Sequence, residues 1–235
     1  MSSHPGRVGD IGTVATNNGS YPVLKIVLGE GNPRKALITA GIHGDEPAGV
    51  EAVCAFVERK LYADIARAWE LTLLPCVNPS GYELGTRENH EKLDLNRHFK
   101  SEPPPLEVGI VQSVFQSPFD LTLDLHEDVD SPGFYLYQKF EPGQETALGF
   151  KVVERVRETM PINSNSEIEG MPAEGGVIHR LSGPGEMEWW PMALYALSKG
   201  AKRCLTLETA ARFPLATRVE AHLTAVRTAF QNIAV

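Results

Sequence analysis

The sequence predicts an α/β fold, a three-layer α/β/α arrangement around a mixed central sheet. Two observations point there. Short apolar runs bounded by turn residues alternate along the chain with stretches whose apolar positions recur at helical spacing. Several of the runs are apolar on nearly every residue, as strands covered by helices on both faces must be. No internal repeat, low-complexity segment or linker divides the 235 residues, so residues 1–235 are expected to form one domain around one core.

Taken in order, "YPVLKIVLG" (21–29) and "KALITAG" (35–41) read as strands joined by the turn-forming "EGNPR", which suggests an opening hairpin. Asp45 is a reasonable N-cap for a helix over about 46–62, where Val50, Val53, Cys54, Val57 and Leu61 recur at helical spacing. "WELTLLPCV" (69–77) is the next strand. Residues 78–105 are rich in Asn, Pro, Gly and charge, and a loop of that length in a compact domain usually carries function. A helix over 105–117 leads to strands "LTLDLHE" (121–127) and "GFYLYQK" (133–139), then a helix near 144–159. Residues 161–185 read as irregular and glycine-rich. A helix near 187–199, the strand "RCLTLET" (203–209) and a last helix with Leu215, Val219, Leu223, Val226, Phe230 and Ile233 complete the chain.

Composition narrows the partners. A formal charge of −8, with no dense Lys/Arg block, argues against nucleic acid and against an anionic membrane surface. Apolar runs such as "ALITAGI" fall far short of the roughly 20 residues a membrane span requires. The N-terminal "MSSHPGRVGDIG" lacks an apolar signal segment, so a cytoplasmic protein is expected. Cys54, Cys76 and Cys204 stand in apolar contexts without paired spacing and read as buried free thiols. Small molecules or peptides remain as partners.

Two strands that should be dry are not. In "LTLDLHE" the alternation sets Leu121, Leu123 and Leu125 against Thr122, Asp124 and His126, and "LTLE" sets Leu205 and Leu207 against Thr206 and Glu208. Each run ends in an ionisable group at its carboxyl end, the rim where open α/β sheets hold ligands. Burying such a group without a partner costs several kcal/mol, so a partner or a cation is required. "TAGIHGDEPAG" (39–49) supplies candidates: His43 follows a strand at the same rim, and Glu46 lies three residues on. The H-x-x-E spacing alone is weak. Joined by His126, it makes a two-histidine, one-glutamate set, the ligand count that leaves a fourth zinc position open. One zinc ion is the expected cofactor, although these ligand types also suit manganese, cobalt or iron.

The loop carries further pattern. "NPSGYELGTRENHEKLDLNRHF" (78–99) presents Asn78-Pro79, Gly81, Gly85-x-Arg87 and Asp94-Leu95-Asn96-Arg97 in order. With the H-x-x-E, the strand-ending histidine and the late "LTLE", this resembles the carboxypeptidase A-like family of zinc peptidases and amidases over about residues 36–210. Within it, the pattern is most like short bacterial murein-peptide amidases, and more distantly like succinylglutamate desuccinylase and aspartoacylase. The resemblance implies a zinc carboxypeptidase-like catalytic domain with His43, Glu46 and His126 as metal ligands and Glu208 as general base. It also implies that Arg87 polarises the scissile carbonyl and that Asn96 and Arg97 hold the substrate's terminal carboxylate. Arg97 can meet a carboxylate with a planar two-pronged hydrogen bond that lysine cannot reproduce. Asp94 and Asp124 are candidates for orienting the histidines, with structural salt bridges as the competing reading. His4, His90, His98, His179 and His222 read as bystanders.

Family carboxypeptidases place a tyrosine in a loop before the glutamate. Here the tyrosine between 161 and 207 is Tyr195, inside an apolar helical pattern that reads as core, which leaves Trp189, Trp190 or a neighbour in "GMPAEGGVIHR" as its replacement. Glu127, Asp128 and Asp130 read as an acidic surface turn in preference to a site for a substrate amino group. The expected activity is zinc-dependent hydrolysis of an amide beside a free carboxylate, in a peptide or peptidoglycan fragment. One rival is an N-acyl amino-acid deacylase; those enzymes carry an additional β domain, and the 27 residues after Glu208 offer room for one helix. The other is a catalytically silent module that binds a carboxylate-bearing ligand.

Overall fold

A strand that the sequence pattern does not announce begins the fold. In this computed structural model, which describes residues 6–17, 19–143, 147–179 and 187–233, β1 (Arg7–Thr16) and β2 (Gly19–Leu28) form an antiparallel hairpin. Along β1 only Val14 is buried, so it has no period-two apolar signal to read. The hairpin expected between 21–29 and 35–41 does not form. β4 (Trp69–Leu74) lies between β2 and β3 (Arg34–Ala40), antiparallel to the first and parallel to the second. The reason is burial: Ala36 through Ala40 are buried on both faces, which demands a central position rather than an edge.

Downstream come β5 (Leu121–Asp128), β6 (Tyr135–Phe140), the two-residue strands β7 (Glu167–Ile168), β8 (Met171–Pro172) and β9 (Val177–Ile178), and β10 (Arg203–Ala210). The main sheet has eight strands in the order β1-β2-β4-β3-β5-β10-β6-β9, while β7 and β8 pair separately within the stretch expected to be irregular. β3, β5 and β10 run parallel at its centre and β6 runs antiparallel to β10, so the sheet is mixed as expected.

The helices are α1 (Pro47–Glu58), α2 (Pro79–Leu84), α3 (Leu106–Gln112), α4 (Leu148–Val156), α5 (Met192–Ser198) and α6 (Leu215–Gln231). Alternation along the strands sends Ile38, Leu123, Leu125, Leu205 and Leu207 into one core with Val53 and Phe56 of α1, Val152 of α4, and Leu223 and Val226 of α6. Leu37 points to the opposite face, into a second core with Val108 and Val111 of α3 and Met192 of α5. Burial of each of these aliphatic side chains contributes about 2 kcal/mol. The three layers follow directly from these two cores.

Local signals predict the helices better than their ends. Asp45 is exposed and does not cap α1; Glu46 occupies the N-cap position, without a side-chain capping bond, and Pro47 begins the helix. α1 stops before the expected 62, where Lys60 takes a positive φ of 54°. Pro191 delays α5 to Met192. The helix near 144–159 is α4, with 144–146 outside the described residues. Of the three thiols, Cys204 is buried, Cys76 partly so, and Cys54 is exposed on the outer face of α1, which corrects the expectation of three buried groups. No helix among the described residues is long and apolar enough to cross a membrane.

Candidate metal centre

The rim where β3, β5 and β10 end collects the predicted polar groups. Ala40 pairs with Leu125 across β3 and β5, and Glu208 pairs with His126 across β10 and β5, so His126 and Glu208 sit side by side. His43 reaches them because Gly41 turns the chain at a φ of +64°. Gly44 then lies so close to α2 that a Cβ there would stand 1.9 Å from the carbonyl carbon of Gly81.

Asn78 explains the Asn-Pro motif. Its backbone N–H donates to Gly41 O (2.8 Å), and its side-chain oxygen caps α2 by accepting from Gly81 N (2.9 Å). Its amide nitrogen donates to Ile42 O and Arg87 O, both at 3.4 Å. Gly44 N also donates to Arg87 O. One buried asparagine thus ties the His43 loop, the start of α2 and the Arg87 loop together.

At the centre, Nδ1 of His43 lies 2.6 Å from Oε1 of Glu46, and Nδ1 of His126 lies 2.9 Å from Oε2. One donor atom from each of these residues falls within 4.8 Å of the other two. All three are buried. Each ring's other nitrogen is held by an aspartate: Nε2 of His43 by Asp94 Oδ1 (3.1 Å), Nε2 of His126 by Asp124 Oδ2 (2.9 Å). Thr39 Oγ1 donates to the second oxygen of Asp124 at 2.6 Å. The donor set fits a divalent ion, because both imidazoles have one nitrogen fixed by a carboxylate and turn the other toward the same glutamate.

These buried charges act on one another. Burial opposes ionisation of Glu46, but His126, aided by His43, holds its carboxyl down at about 2. Burial likewise opposes a charged His126, yet Asp124 and Glu46 raise its pKa well above the usual imidazole value. Asp94 is also partly desolvated, and His43, Arg87 and Arg97 together hold it far below the ordinary carboxylate range. Glu208 is raised well above its usual value by burial first, then by Glu46, Asp128 and Asp124, with His126 opposing.

The arginines reach the same place from the loop. Arg87 places Nη1 3.5 Å from Glu46 Oε1 and Nε 3.2 Å from Asp94 Oδ2. Arg97 bonds Asp94 Oδ2 through Nε at 3.1 Å, and its guanidinium lies over the Trp189 ring, 4.4 Å from the centroid. Both side chains remain about half exposed. Asn96 accepts from Met192 N at 3.0 Å, which ties the loop to the start of α5 and fixes the side-chain oxygen, leaving its amide nitrogen as the donor end.

Other expectations divide. Tyr195 packs against Phe99 and Phe115 as core, and Asp94 and Asp124 both bond the histidines. The acidic turn needs correcting: Glu127 is 6% exposed, accepting from Ala48 N (2.7 Å) and paired with Arg218, while Asp128 accepts from the Tyr135 hydroxyl and Asp130 is exposed. His98 pairs with Ser101 and His90 lies 3.9 Å from Glu107, away from the triad; His179 lies beside Phe150, and His4 lies outside the described residues. His222 is fully buried with Nε2 3.3 Å from Thr209 Oγ1, and burial pushes its pKa down to about 3. Thr39 and Arg218 carried no sequence signal. Tyr135 and Tyr137 share the Glu208 face of the sheet, which the β6–β10 register decides.

Comparison with known proteins places the chain by family and by fold. Residues 32–218 match the family model of the succinylglutamate desuccinylase/aspartoacylase catalytic domain. Over 64 residues the chain is 44% identical to murein peptide amidase A of Escherichia coli (strain K12), a match covering 27% of this chain and 24% of that relative. A solved candidate metallopeptidase of Shewanella baltica OS155 superposes with a TM-score of 0.82 at 26% identity, covering 97% of this chain and 87% of that one. A metallo-carboxypeptidase from Pseudomonas aeruginosa, solved with (2-guanidinoethylmercapto)succinic acid, has the same fold at a TM-score of 0.69 and 18% identity, covering 95% and 64%.

Proposed function

The chain belongs to the succinylglutamate desuccinylase/aspartoacylase catalytic-domain family, and from that premise we propose that it is a zinc-dependent hydrolase cleaving an amide beside a free carboxylate in a peptide or peptidoglycan fragment. The observation that carries this reading is the pair of imidazoles, each anchored through Nε2 by an aspartate and each directing Nδ1 at Glu46. On this reading residues 1–235 make one zinc carboxypeptidase-like catalytic domain, with His43, Glu46 and His126 holding one ion.

When bound, zinc supplies Lewis acidity, polarising a carbonyl and lowering the pKa of an attacking water toward about 7. Glu208, beside His126 across the β5–β10 pairing, is raised in pKa by burial and by carboxylates such as Glu46, and the charge of a cation held at the triad would favour its carboxylate form. As carboxylate it takes the proton from that water, and as acid it delivers it to the leaving amine. Arg87, 3.5 Å from Glu46, faces the place where negative charge grows on the carbonyl oxygen and stabilises it there. Asn96 donates through its amide nitrogen to the substrate's carboxylate. Arg97 meets the same group with its outer nitrogens, since Asp94 engages it through Nε. Stacking on Trp189 restricts the guanidinium before substrate arrives.

A second reading, deacylation of an N-acyl amino acid, is favoured by the family model itself, whereas the 64-residue match favours a murein peptide. Both reactions cleave an amide next to a carboxylate and use the same residues. The deciding experiment measures zinc content of the purified protein, then hydrolysis of short peptides, murein tripeptide and tetrapeptide, N-succinylglutamate and N-acetylaspartate before chelation, after it and after zinc is restored. About one zinc per chain and peptide cleavage that follows the metal are expected. Cleavage confined to the acyl amino acids would establish the second reading. Carboxylate binding with no turnover would identify a silent module, and activity that survives complete metal removal would reject the mechanism.

A further inference from the structure

Against the triad lies a buried ion pair, Glu127 with Arg218, that the chemistry above does not use. Glu46 sits at the N-cap position of α1, where a carboxylate ordinarily accepts from the helix's own first N–H groups. It does not, because both of its oxygens face the histidines. The orphan N–H of Ala48 is instead capped from another element, by Glu127 Oε1 at 2.7 Å. The other oxygen of Glu127 receives Arg218 of α6, whose Nε also holds Phe213 O at 2.9 Å. The backbone N–H of Glu127 donates to Glu46 Oε2 at 3.1 Å. Glu127 therefore touches the ligand carboxylate with its main chain, the helix carrying that ligand with its side chain, and follows the ligand His126 in β5. Its side chain is 1% exposed, and that of Arg218 14%.

We propose that Glu127 and Arg218 are positioning residues that fix the separation of Glu46 and His126 and thereby set the metal affinity of the triad. The inference rests on the metal-binding reading above. Arg218 supplies the countercharge that keeps a second glutamate beside Glu46 occupied with the helix terminus, so that it neither turns into the site nor frees α1 to retreat from β5. With the pair intact, Glu46 presents both oxygens at a fixed distance from the two rings. Without it, the first turn of α1 loses its cap and the tie to β5, and the donor atoms spread.

The test compares zinc dissociation constants of the full chain and of the variants Arg218→Met, Arg218→Lys and Glu127→Gln, by competition against a chromophoric chelator. Visible spectra of the cobalt-loaded proteins are recorded in parallel. Loss of an outer partner of a metal ligand typically weakens binding about 10–100-fold, and that is expected for Arg218→Met. Glu127→Gln keeps an oxygen for Ala48 N–H but loses the ion pair, and should fall between it and the parent. Arg218→Lys, which keeps the charge, should recover part of the loss, and the cobalt spectrum should change shape in the two weaker variants. If Arg218→Met fails to fold, as judged by circular dichroism, the milder Glu127→Gln decides. Variants that bind zinc within twofold of the parent with unchanged cobalt spectra, even if less resistant to heat, would overturn the proposal and leave the metal site standing. A parent protein that binds no zinc would overturn both.

Discussion

Replacing Gly44 by alanine is the sharpest test of how the loops carry the site. A Cβ on Gly44 would lie 1.9 Å from the carbonyl carbon of Gly81, 2.3 Å from Tyr82 N and 2.4 Å from Gly81 O. All three are backbone atoms at the start of α2, so no flexible side chain can swing aside. Restoring ordinary contact, about 3.5 Å between carbons, requires the two segments to part by roughly 1.5 Å. That movement strains or breaks the Gly44 N to Arg87 O bond and the Asn78 cap of α2, each worth about 1 kcal/mol. Overpacking adds about 1–3 kcal/mol, so a loss near 3–5 kcal/mol is expected. Metal–ligand distances tolerate errors of only about 0.2 Å, so displacing the chain next to His43 should also weaken zinc binding by at least tenfold. Equilibrium denaturation and chelator competition measure the two effects. Gly9→Ala is the control, since a Cβ at Gly9 meets nothing within 4 Å, and it should change stability by less than about 0.5 kcal/mol. A Gly44→Ala protein as stable as that control, with parental zinc affinity, would refute the account of the Asn78 and Gly44 contacts.

Three further outcomes follow from the packing and the charges. Asp124→Asn, which removes the carboxylate from His126 Nε2, should weaken zinc binding about 10–100-fold in the same competition assay; unchanged affinity would mean the bond serves the fold alone. Leu223→Ala should cost about 3 kcal/mol in urea unfolding, because Leu223 lines a small apolar gap with Phe56, Leu125 and Val226 that the shortened side chain would enlarge. Asp120 accepts from Lys35 N and pairs with Lys202; although partial burial opposes its charge, Lys202 and Lys35 N outweigh that and lower its pKa on folding. A carboxyl group lowered in this way stabilises the fold above its unfolded pKa of about 3.9, and the contribution fades as pH falls through the folded value. Asp120→Asn should therefore cost about 1 kcal/mol near pH 6, screening included, with the gap to the parent closing below about pH 4; a gap constant from pH 3 to 7 would contradict the assignment.

The layered fold and the three metal-ligand candidates were legible in the chain because they depend on local spacing. Alternation in "LTLDLHE" dictates that Asp124 and His126 share a face, and a separation of three positions from His43 to Glu46 suffices to bring both to one strand end. Arg87, Asn96 and Arg97 were legible as a motif, but not why Asn78 must accompany them, since its bond to Ile42 reaches back 36 residues to the His43 loop. The edge strand β1 lacked an apolar face to betray it, and the insertion of β4 between β2 and β3 depends on the burial of Ala36 through Ala40 on both faces, a property of the assembled sheet. Glu127 looked like part of a solvated turn until α1 and α6 closed over it and gave its carboxylate an N–H and a guanidinium. Spacing along a chain determines which way a side chain faces; only the packing of distant elements decides what it meets there, because partners such as Glu127 and Arg218, 91 residues apart, interact through space and leave no mark on one another's neighbours.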